Sequence, residues 1–175
     1  MSLDRPVSPE PYDLMTSLPS LTLTSDDIDA GQPLKDDLIY EGGNTSPQLS
    51  WEPGPEGTKS YVVSCYDPDA PSPSGWWHWM VVDIPADVTS LEAGAGASDG
   101  SLPGNAFHLR NDFGANKYDG SAPPAGDMPH RYYFAVHAVG EETLGVEAGT
   151  PTTQVACMMA FKGLARGVVM GTYQA

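Results

Sequence analysis

The chain has 175 residues, 40% of them hydrophobic, and a formal net charge of −15 at pH 7. Its length and apolar content favour one globular domain with its own core and argue against disorder. An acidic surface repels phosphate backbones and anionic bilayers, which argues against nucleic-acid partners and against stable membrane binding. Solubility alone accounts for such acidity, and adaptation to a salty cytoplasm is the alternative.

The sequence has no long apolar run and no signal-like start, so we expect a cytoplasmic protein. No window approaches about 18 consecutive apolar residues. Residues 1–6 lack both a basic start and an apolar segment. Cys65 and Cys157 lie in apolar surroundings and are expected to be free, buried thiols rather than a disulfide.

The elements predicted in chain order are mostly short strands. Residues 1–20 carry four prolines and predict an extended N-terminal arm, while residues 21–175 predict a single domain without a linker or repeat. Turns rich in glycine and proline separate the remaining segments. Alternating or continuous apolar residues predict strands at 21–24, 48–51, 61–66, 76–84, 131–139 and 168–173.

One segment, about residues 151–165, has helical character. Pro151 suits the first helical position, and Cys157, Phe161 and Leu164 follow at the spacing of one helix face. Many short strands with one late helix predict a mainly β fold, a β-sandwich with a peripheral helix and a few short turns.

Three ionisable residues mark the ends of predicted strands. Asp67 directly follows the strand at 61–66, and His130 opens the strand at 131–139 after a proline-rich loop. His78 lies within the strand at 76–84, where alternation places it on one face with Trp76, Met80 and Val82. We therefore expect Asp67 to meet His78 and His130 at one edge of the sheet.

These residues permit several interpretations. Asp67 and Asp69 could simply cap a turn, a role that suits Asp69 better. A metal site lacks the tight spacing of a strong zinc motif, and a catalytic set lacks an evident nucleophile. The remaining interpretation is an anion pocket, in which Asp67 favours the charged form of one imidazole. His137, in the middle of an apolar strand, is expected to be a satisfied histidine.

Five blocks in order give the chain a resemblance to the phosphatidylethanolamine-binding protein (PEBP) family, in its bacterial and archaeal Raf-kinase-inhibitor-like branch. The resemblance extends from about residue 21 to residue 173. The blocks are Ser46-Pro47-Gln48-Leu49-Ser50-Trp51, Asp67-Pro68-Asp69-Ala70-Pro71, Trp76-Trp77-His78-Trp79, Tyr118-Asp119-Gly120-Ser121-Ala122-Pro123-Pro124 and Pro129-His130-Arg131-Tyr132-Tyr133.

The resemblance implies a β-sandwich with a small pocket for phosphate-like anions and phosphoryl head groups. In it, Asp67, His78 and His130 match the central polar residues. The positions that line or shape the pocket are matched by Ala70, Pro71, Trp76, Tyr118, Gly120, Ala122 and Tyr132. Family members often carry cis peptides near the pocket, which directs attention to Ala70–Pro71.

The function expected from residues and resemblance together is non-enzymatic binding of a small phosphorylated or anionic molecule, without a cofactor or metal. The alternatives are a hydrolase, with or without a metal, that uses Asp67, His78 and His130, and a regulatory protein that inhibits a kinase or hydrolase. Prokaryotic members commonly form homodimers, and the N-terminal arm could serve one. The sequence names no protein target.

Overall fold

The computed structural model describes residues 3–175 and contains two antiparallel sheets. The mainly β fold with one α-helix near the C-terminus agrees with the prediction. In chain order the strands are β1 (Leu23–Thr24), β2 (Leu49–Trp51), β3 (Ser60–Asp67), β4 (Trp76–Pro85), β5 (Ser90–Leu91), β6 (Phe107–His108), β7 (His130–Val139) and β8 (Gly163–Tyr173), with the helix α1 (Thr152–Lys162) between β7 and β8.

The larger sheet has the strand order β6-β4-β3-β7-β8, and the smaller one has the order β1-β2-β5. Strand β3 lies at the centre of the larger sheet, as its apolar residues on both faces predict. It pairs antiparallel with β4 on one side and with β7 on the other. The C-terminal end of β3 therefore meets the N-terminal ends of both neighbours, which places Asp67 beside the start of each.

Each face of the larger sheet buries a separate apolar cluster. The inner cluster fills the space between the two sheets and includes Val63 of β3 and Phe134 of β7. The outer cluster includes Val62 of β3 and Met159 of α1, so the helix covers the outer face. Successive residues of a strand point to opposite faces, and this alternation supplies both clusters from the same strands.

A bulge in β4 changes which residues share a face. Two adjacent residues of β3 pair with Trp79 and Trp77, which leaves His78 as the extra residue between them. Both His78, in ring contact with Tyr132, and Trp79 lie on the inner side, while Met80 belongs to the outer cluster. The predicted shared face of His78 and Met80 is wrong because a bulge interrupts the two-residue alternation.

The helix buries a different face from the predicted one. Its buried residues are Thr152, Val155 and Met159, whereas Phe161 is 85% exposed. Cys157 is a free thiol as predicted, but it is exposed rather than buried because it shares the solvent face with Phe161. The apolar spacing that predicted the wrong face continued into Leu164, which belongs to β8 and not to the helix.

The N-terminal arm, residues 3–20, lies against the outer side of β7 and β8. Its last residue forms a parallel bridge to Arg166, whose backbone N–H donates to the carbonyl of Pro19 over 2.9 Å. Nearer its start, the arm makes four more contacts with the domain. The side chains of Arg5, Glu10 and Tyr12 contact Asp127, Arg131 and Arg166, and the backbone N–H of Ser8 donates to the carboxylate of Asp69. No helix in residues 3–175 is long and apolar enough to cross a membrane.

Candidate functional site

Asp67 and His130 form a buried pair at the edge of the larger sheet. The antiparallel pairing of β3 and β7, with Tyr66 opposite Tyr133, places the last residue of β3 close to the first residue of β7. Asp67 Oδ2 lies 2.7 Å from His130 Nδ1, and both side chains are almost completely buried. The other oxygen, Oδ1, accepts the backbone N–H of Asp69 over 2.7 Å, so Asp67 itself caps the turn after β3.

A second carboxylate and an arginine complete this group. Asp127 Oδ2 lies 3.0 Å from His130 Nε2, so both ring nitrogens of His130 have a carboxylate partner. Arg5 from the arm donates to both oxygens of Asp127 over 2.8 Å, a bidentate pair. Arg5 also donates to the carbonyl of Asp69. The N-terminal arm therefore contributes a positive charge to the group.

Electrostatics favours the charged form of His130. Burial alone would lower the pKa of His130. The hydrogen bonds and charges of Asp67 and Asp127 raise it by more than burial lowers it, so the net pKa is raised. The hydrogen bond from Arg5 holds the pKa of Asp127 well below its usual range. An imidazolium between two carboxylates has its charge compensated within the protein.

His78 has the opposite situation. Its Nδ1 lies 2.9 Å from the carbonyl oxygen of Asp119 and 3.0 Å from that of Gly120. Carbonyl oxygens only accept, so Nδ1 carries the proton. Burial lowers the pKa of His78, which favours the neutral ring with an unprotonated Nε2. Among residues 3–175 the structure records hydrogen bonds of this imidazole at Nδ1 alone.

Further polar groups without partners lie around His78. The ring of Tyr132 contacts both histidines, with centroids 5.2 Å from His78 and 6.5 Å from His130. Among the buried side-chain polar atoms of residues 3–175 that lack a well-formed hydrogen bond, three belong to residues near His78: the hydroxyls of Tyr132 and Ser121, which lie close enough to interact with each other, and the indole N–H of Trp76. Most buried polar groups in proteins are satisfied, so an unsatisfied set beside a neutral imidazole indicates room for a polar ligand.

An aromatic wall separates His78 from a surface cavity. Phe113 contacts His78 with centroids 5.4 Å apart and stacks on Tyr40 at 5.0 Å. Phe113, Tyr40, Ser121 and Ala122 also line a cavity of about 350 Å³. Sequence reasoning missed Phe113, which lies in a turn 35 residues beyond His78 and carries no motif. Its 37% exposure next to a buried histidine is visible only in the structure.

Two of the residues expected to shape the pocket have structural roles. A Cβ at Gly120 would lie 2.4 Å from the carbonyl oxygen of Leu38, so glycine is needed for close approach to residues 38–40. The hydroxyl of Tyr118 donates to the same carbonyl over 2.8 Å. The missing side chain at Gly120 thus permits close approach of the backbone of residues 38–40.

The turn after β3 also differs from expectation. Asp69, predicted to cap this turn, accepts instead from the side chain of Arg131 over 2.7 Å and 2.9 Å. Ala70 is half-buried and Pro71 exposed in the bend that follows. All peptide bonds of the described residues are trans, so the expectation for Ala70–Pro71 is wrong. Asp69 thereby links the turn to β7, the strand that contains Arg131.

Comparisons with known proteins identify the family. The family described as phosphatidylethanolamine-binding protein matches residues 24–174 of the chain. The chain belongs to this family. The UPF0098 protein YbcL of Escherichia coli K12 is 44% identical over 158 residues, covering 87% of this chain and 86% of YbcL. The UPF0098 protein YbhB of the same organism is 46% identical over 134 residues, covering 77% of this chain and 84% of YbhB.

Solved structures agree with this assignment. The crystal structure of Escherichia coli YbcL, described as a new member of the mammalian PEBP family, superposes with a TM-score of 0.86 at 43% identity. It covers 89% of this chain and 99% of that one. The PEBP family match begins at residue 24, so Arg5 lies outside it although its side chain completes the buried group.

Proposed function

We propose that this PEBP-family protein binds a small phosphoryl or similar anion at His78, reached through the cavity beside Phe113. The observation that supports the proposal most directly is the state of His78. Its Nδ1–H is held by two backbone carbonyls, while Nε2 has no recorded partner in the described residues. The ring is thereby oriented for one further interaction at a defined position.

An anion at this position would change the charge of His78. In the free protein burial lowers the pKa of His78. A phosphate oxygen near Nε2 favours the imidazolium, because an opposite charge within about 4–6 Å stabilises the charged form. Binding therefore takes up a proton. The buried hydroxyls of Ser121 and Tyr132 and the indole N–H of Trp76 supply further donors.

His130 has a supporting role in this proposal. Because both of its ring nitrogens already have carboxylate partners, it offers no free donor unless Asp127 moves. Its positive charge and that of Arg5 balance the negative charges of Asp67 and Asp127. This balance keeps the interior beside the pocket from repelling an anion.

Binding without turnover fits the state of Cys65, the cysteine on the same strand as Asp67. Cys65 lies two residues before Asp67, on the same strand face, and is completely buried. Burial raises the pKa of its thiol well above the usual value, and the charge of Asp67 raises it further. A protonated, enclosed thiol is a poor nucleophile. We therefore propose a binding protein rather than an enzyme.

Calorimetric titration with inorganic phosphate and with O-phosphoethanolamine tests the site. We expect binding whose apparent enthalpy at pH 7 depends on the ionisation enthalpy of the buffer, since a proton is taken up. His78→Asn should weaken binding by about tenfold or more, the usual value of a hydrogen bond between charged groups. An asparagine amide can still donate to the carbonyls of Asp119 and Gly120 but has nothing at the position of Nε2.

A matched control is Gln154→Ala, which changes an exposed residue on α1 and should leave binding unchanged. Equal affinity of His78→Asn and the unmodified protein would place the anion elsewhere. Binding of phosphate without proton uptake would contradict the assignment of His78 as the group that becomes charged.

A further inference from the structure

A second cavity lies on the opposite face of the larger sheet, under the N-terminal arm. Its volume is about 320 Å³, and it is bounded by the arm, the outer side of the sheet and α1. Apolar side chains dominate the lining, including Trp77 and Met80 of β4, Met15 of the arm and Met159 of α1. Methionine side chains adapt to ligands of different shape. The proposed anion pocket uses none of these residues.

One polar side chain in the lining has an unused donor. His137 lies in the middle of β7, is 4% exposed and lines the cavity. Its Nε2 accepts the Nε–H of Arg166 over 2.9 Å. Burial, with the charge of Arg166, lowers the pKa of His137 to about 3, so the ring is neutral at pH 7. The proton must therefore be on Nδ1, which is buried and has no partner in residues 3–175.

The arm forms the outer wall of this cavity. The aromatic ring of Tyr12 covers the guanidinium of Arg166 at 4.5 Å and contacts the imidazole of His137 with centroids 6.0 Å apart. Arg131 donates to the carbonyl of Ser8 over 2.6 Å, which anchors the arm on one side of the cavity. The arm is thus held against the domain at Ser8 and at Tyr12, and the space beneath it is incompletely filled. An apolar filling of the same space would leave His137 Nδ1–H unsatisfied.

We propose that this cavity binds a small apolar molecule with one hydrogen-bond acceptor, an aryl ketone in its simplest form, whose acceptor receives a hydrogen bond from His137 Nδ1–H. The two requirements come from two observations, the apolar lining and the unpaired donor. A buried donor left without a partner costs free energy, and an acceptor supplied by the ligand removes that cost. We expect such a ligand to carry no charge, because no Asp, Glu, Lys or Arg side chain of the described residues lines the cavity and His137 is neutral.

The volume limits the size of the ligand. Engineered cavities of about 150 Å³ bind benzene, and pockets for drug-sized ligands begin at about 300 Å³. The cavity under the arm therefore suits one or two rings or a short branched chain. The cavity is open to solvent on one side, but Nδ1 of His137 is buried, so a ligand reaches it only when neighbouring side chains move, among them Tyr12, which is in ring contact with His137.

Acetophenone and α-methylstyrene form a matched pair of probes. They have the same size and shape, but only acetophenone has a carbonyl acceptor. With the methionine methyl groups labelled with ¹³C, titration should shift the signals of Met15, Met80 and Met159. We expect acetophenone to bind about 2- to 10-fold more tightly than α-methylstyrene, the net value of one neutral hydrogen bond.

Two variants separate the cavity from the donor. Ala156→Phe places a ring in the cavity from α1 and should abolish both titrations, while Cys157→Phe adds the same ring to the exposed side of the same helix and should not. His137→Phe should abolish the preference for acetophenone while retaining the binding of α-methylstyrene. Phosphate binding at His78 should be unchanged by Ala156→Phe, because the two sites lie on opposite faces of the sheet.

Several outcomes would overturn the proposal. Equal affinity for the two probes would mean that the cavity selects for apolar shape alone. Binding that persists in Ala156→Phe would place the probes elsewhere. If neither probe binds and sedimentation shows a dimer that protects the same methionine signals, the cavity is part of a contact between two copies of the chain.

Discussion

His130 and His137 lie on the same strand, seven residues apart, and both are buried, but their partners give them opposite charge states. His130 is placed between the carboxylates of Asp67 and Asp127, and its net pKa is raised. His137 accepts from Arg166, and its pKa is lowered to about 3. Because successive side chains of a strand point to opposite faces, a spacing of seven residues places the two rings on opposite faces of the sheet, in different surroundings.

The comparison shows that burial alone does not determine the state of a histidine. Desolvation lowers the pKa of both rings, and at His130 two carboxylates outweigh it. At His137 the charge of Arg166 acts in the same direction as burial. The first ring is therefore a compensated cation with no free donor, and the second is a neutral ring with one.

Removing the carboxylate that holds His130 should have the largest effect. Asp67→Asn keeps the size of the side chain and an oxygen for the backbone N–H of Asp69, but it removes the charge opposite His130 Nδ1. We expect a loss of about 3 kcal/mol in the free energy of unfolding, because a buried ion pair that loses one partner leaves an uncompensated charge. Urea unfolding at pH 6.5 measures this loss. Asp29→Asn, an exposed residue, should change it by less than about 0.5 kcal/mol.

A small loss in Asp67→Asn, similar to that of Asp29→Asn, would contradict the charged state of His130. In that case His130 would be neutral in the folded protein, and its environment would differ from that of His137 less than the geometry indicates.

The second test is the response of His137 to acid. The unfolded chain takes up a proton at this residue below about pH 6.5, whereas the folded chain does so only near pH 3, so stability is lost as the pH falls through this range. His137→Gln retains an oxygen that can accept from Arg166 but does not titrate. Relative to the unmodified protein, we expect this variant to gain about 2 kcal/mol between pH 7 and pH 5.

Unfolding curves of both proteins at the two pH values provide the measurement. Carboxylates with lowered pKa values, such as Asp127 and Asp69, also contribute less to the free energy of unfolding in acid. Because both proteins contain them, their contributions cancel in the difference between the two free energies. A difference that stays constant from pH 7 to pH 5 would mean that His137 is protonated in the folded protein. A protonated imidazole has no lone pair with which to accept the Nε–H of Arg166.

The fold was predictable from the sequence because its elements carry strong local signals. The central strand β3, apolar on both faces, and the strand at β7 were expected nearly as they occur. The bulge at His78 was not predictable, since a bulge is an extra residue relative to a partner strand and leaves no mark in the alternation of one strand alone. The two-residue strands β5 and β6 were missed for a related reason, because they are too short to show a period.

The candidate site was only partly predictable. Asp67 and His130 were expected together from strand ends, and the structure brings them to 2.7 Å. Asp127 was overlooked although it precedes His130 by three residues in the proline-rich loop. Arg5 could not have been found, since its contact with Asp127 joins residues 122 positions apart and depends on the path of the arm. The half-satisfied state of His137 required knowledge of Arg166 on the neighbouring strand.

The smallest of the three effects, and opposite in sign, is expected at His130. Because the folded pKa is raised above the unfolded value, the stabilisation is complete below about pH 6.5 and is lost as the pH rises through the folded pKa. Burial and the carboxylates act against each other here, so the pH-dependent change should be smaller than that of His137. His130→Gln should therefore destabilise the protein more at pH 6 than at pH 8.5. A penalty that is equal at the two pH values, measured by urea unfolding at constant ionic strength, would show that His130 keeps the same charge in the folded and unfolded chains.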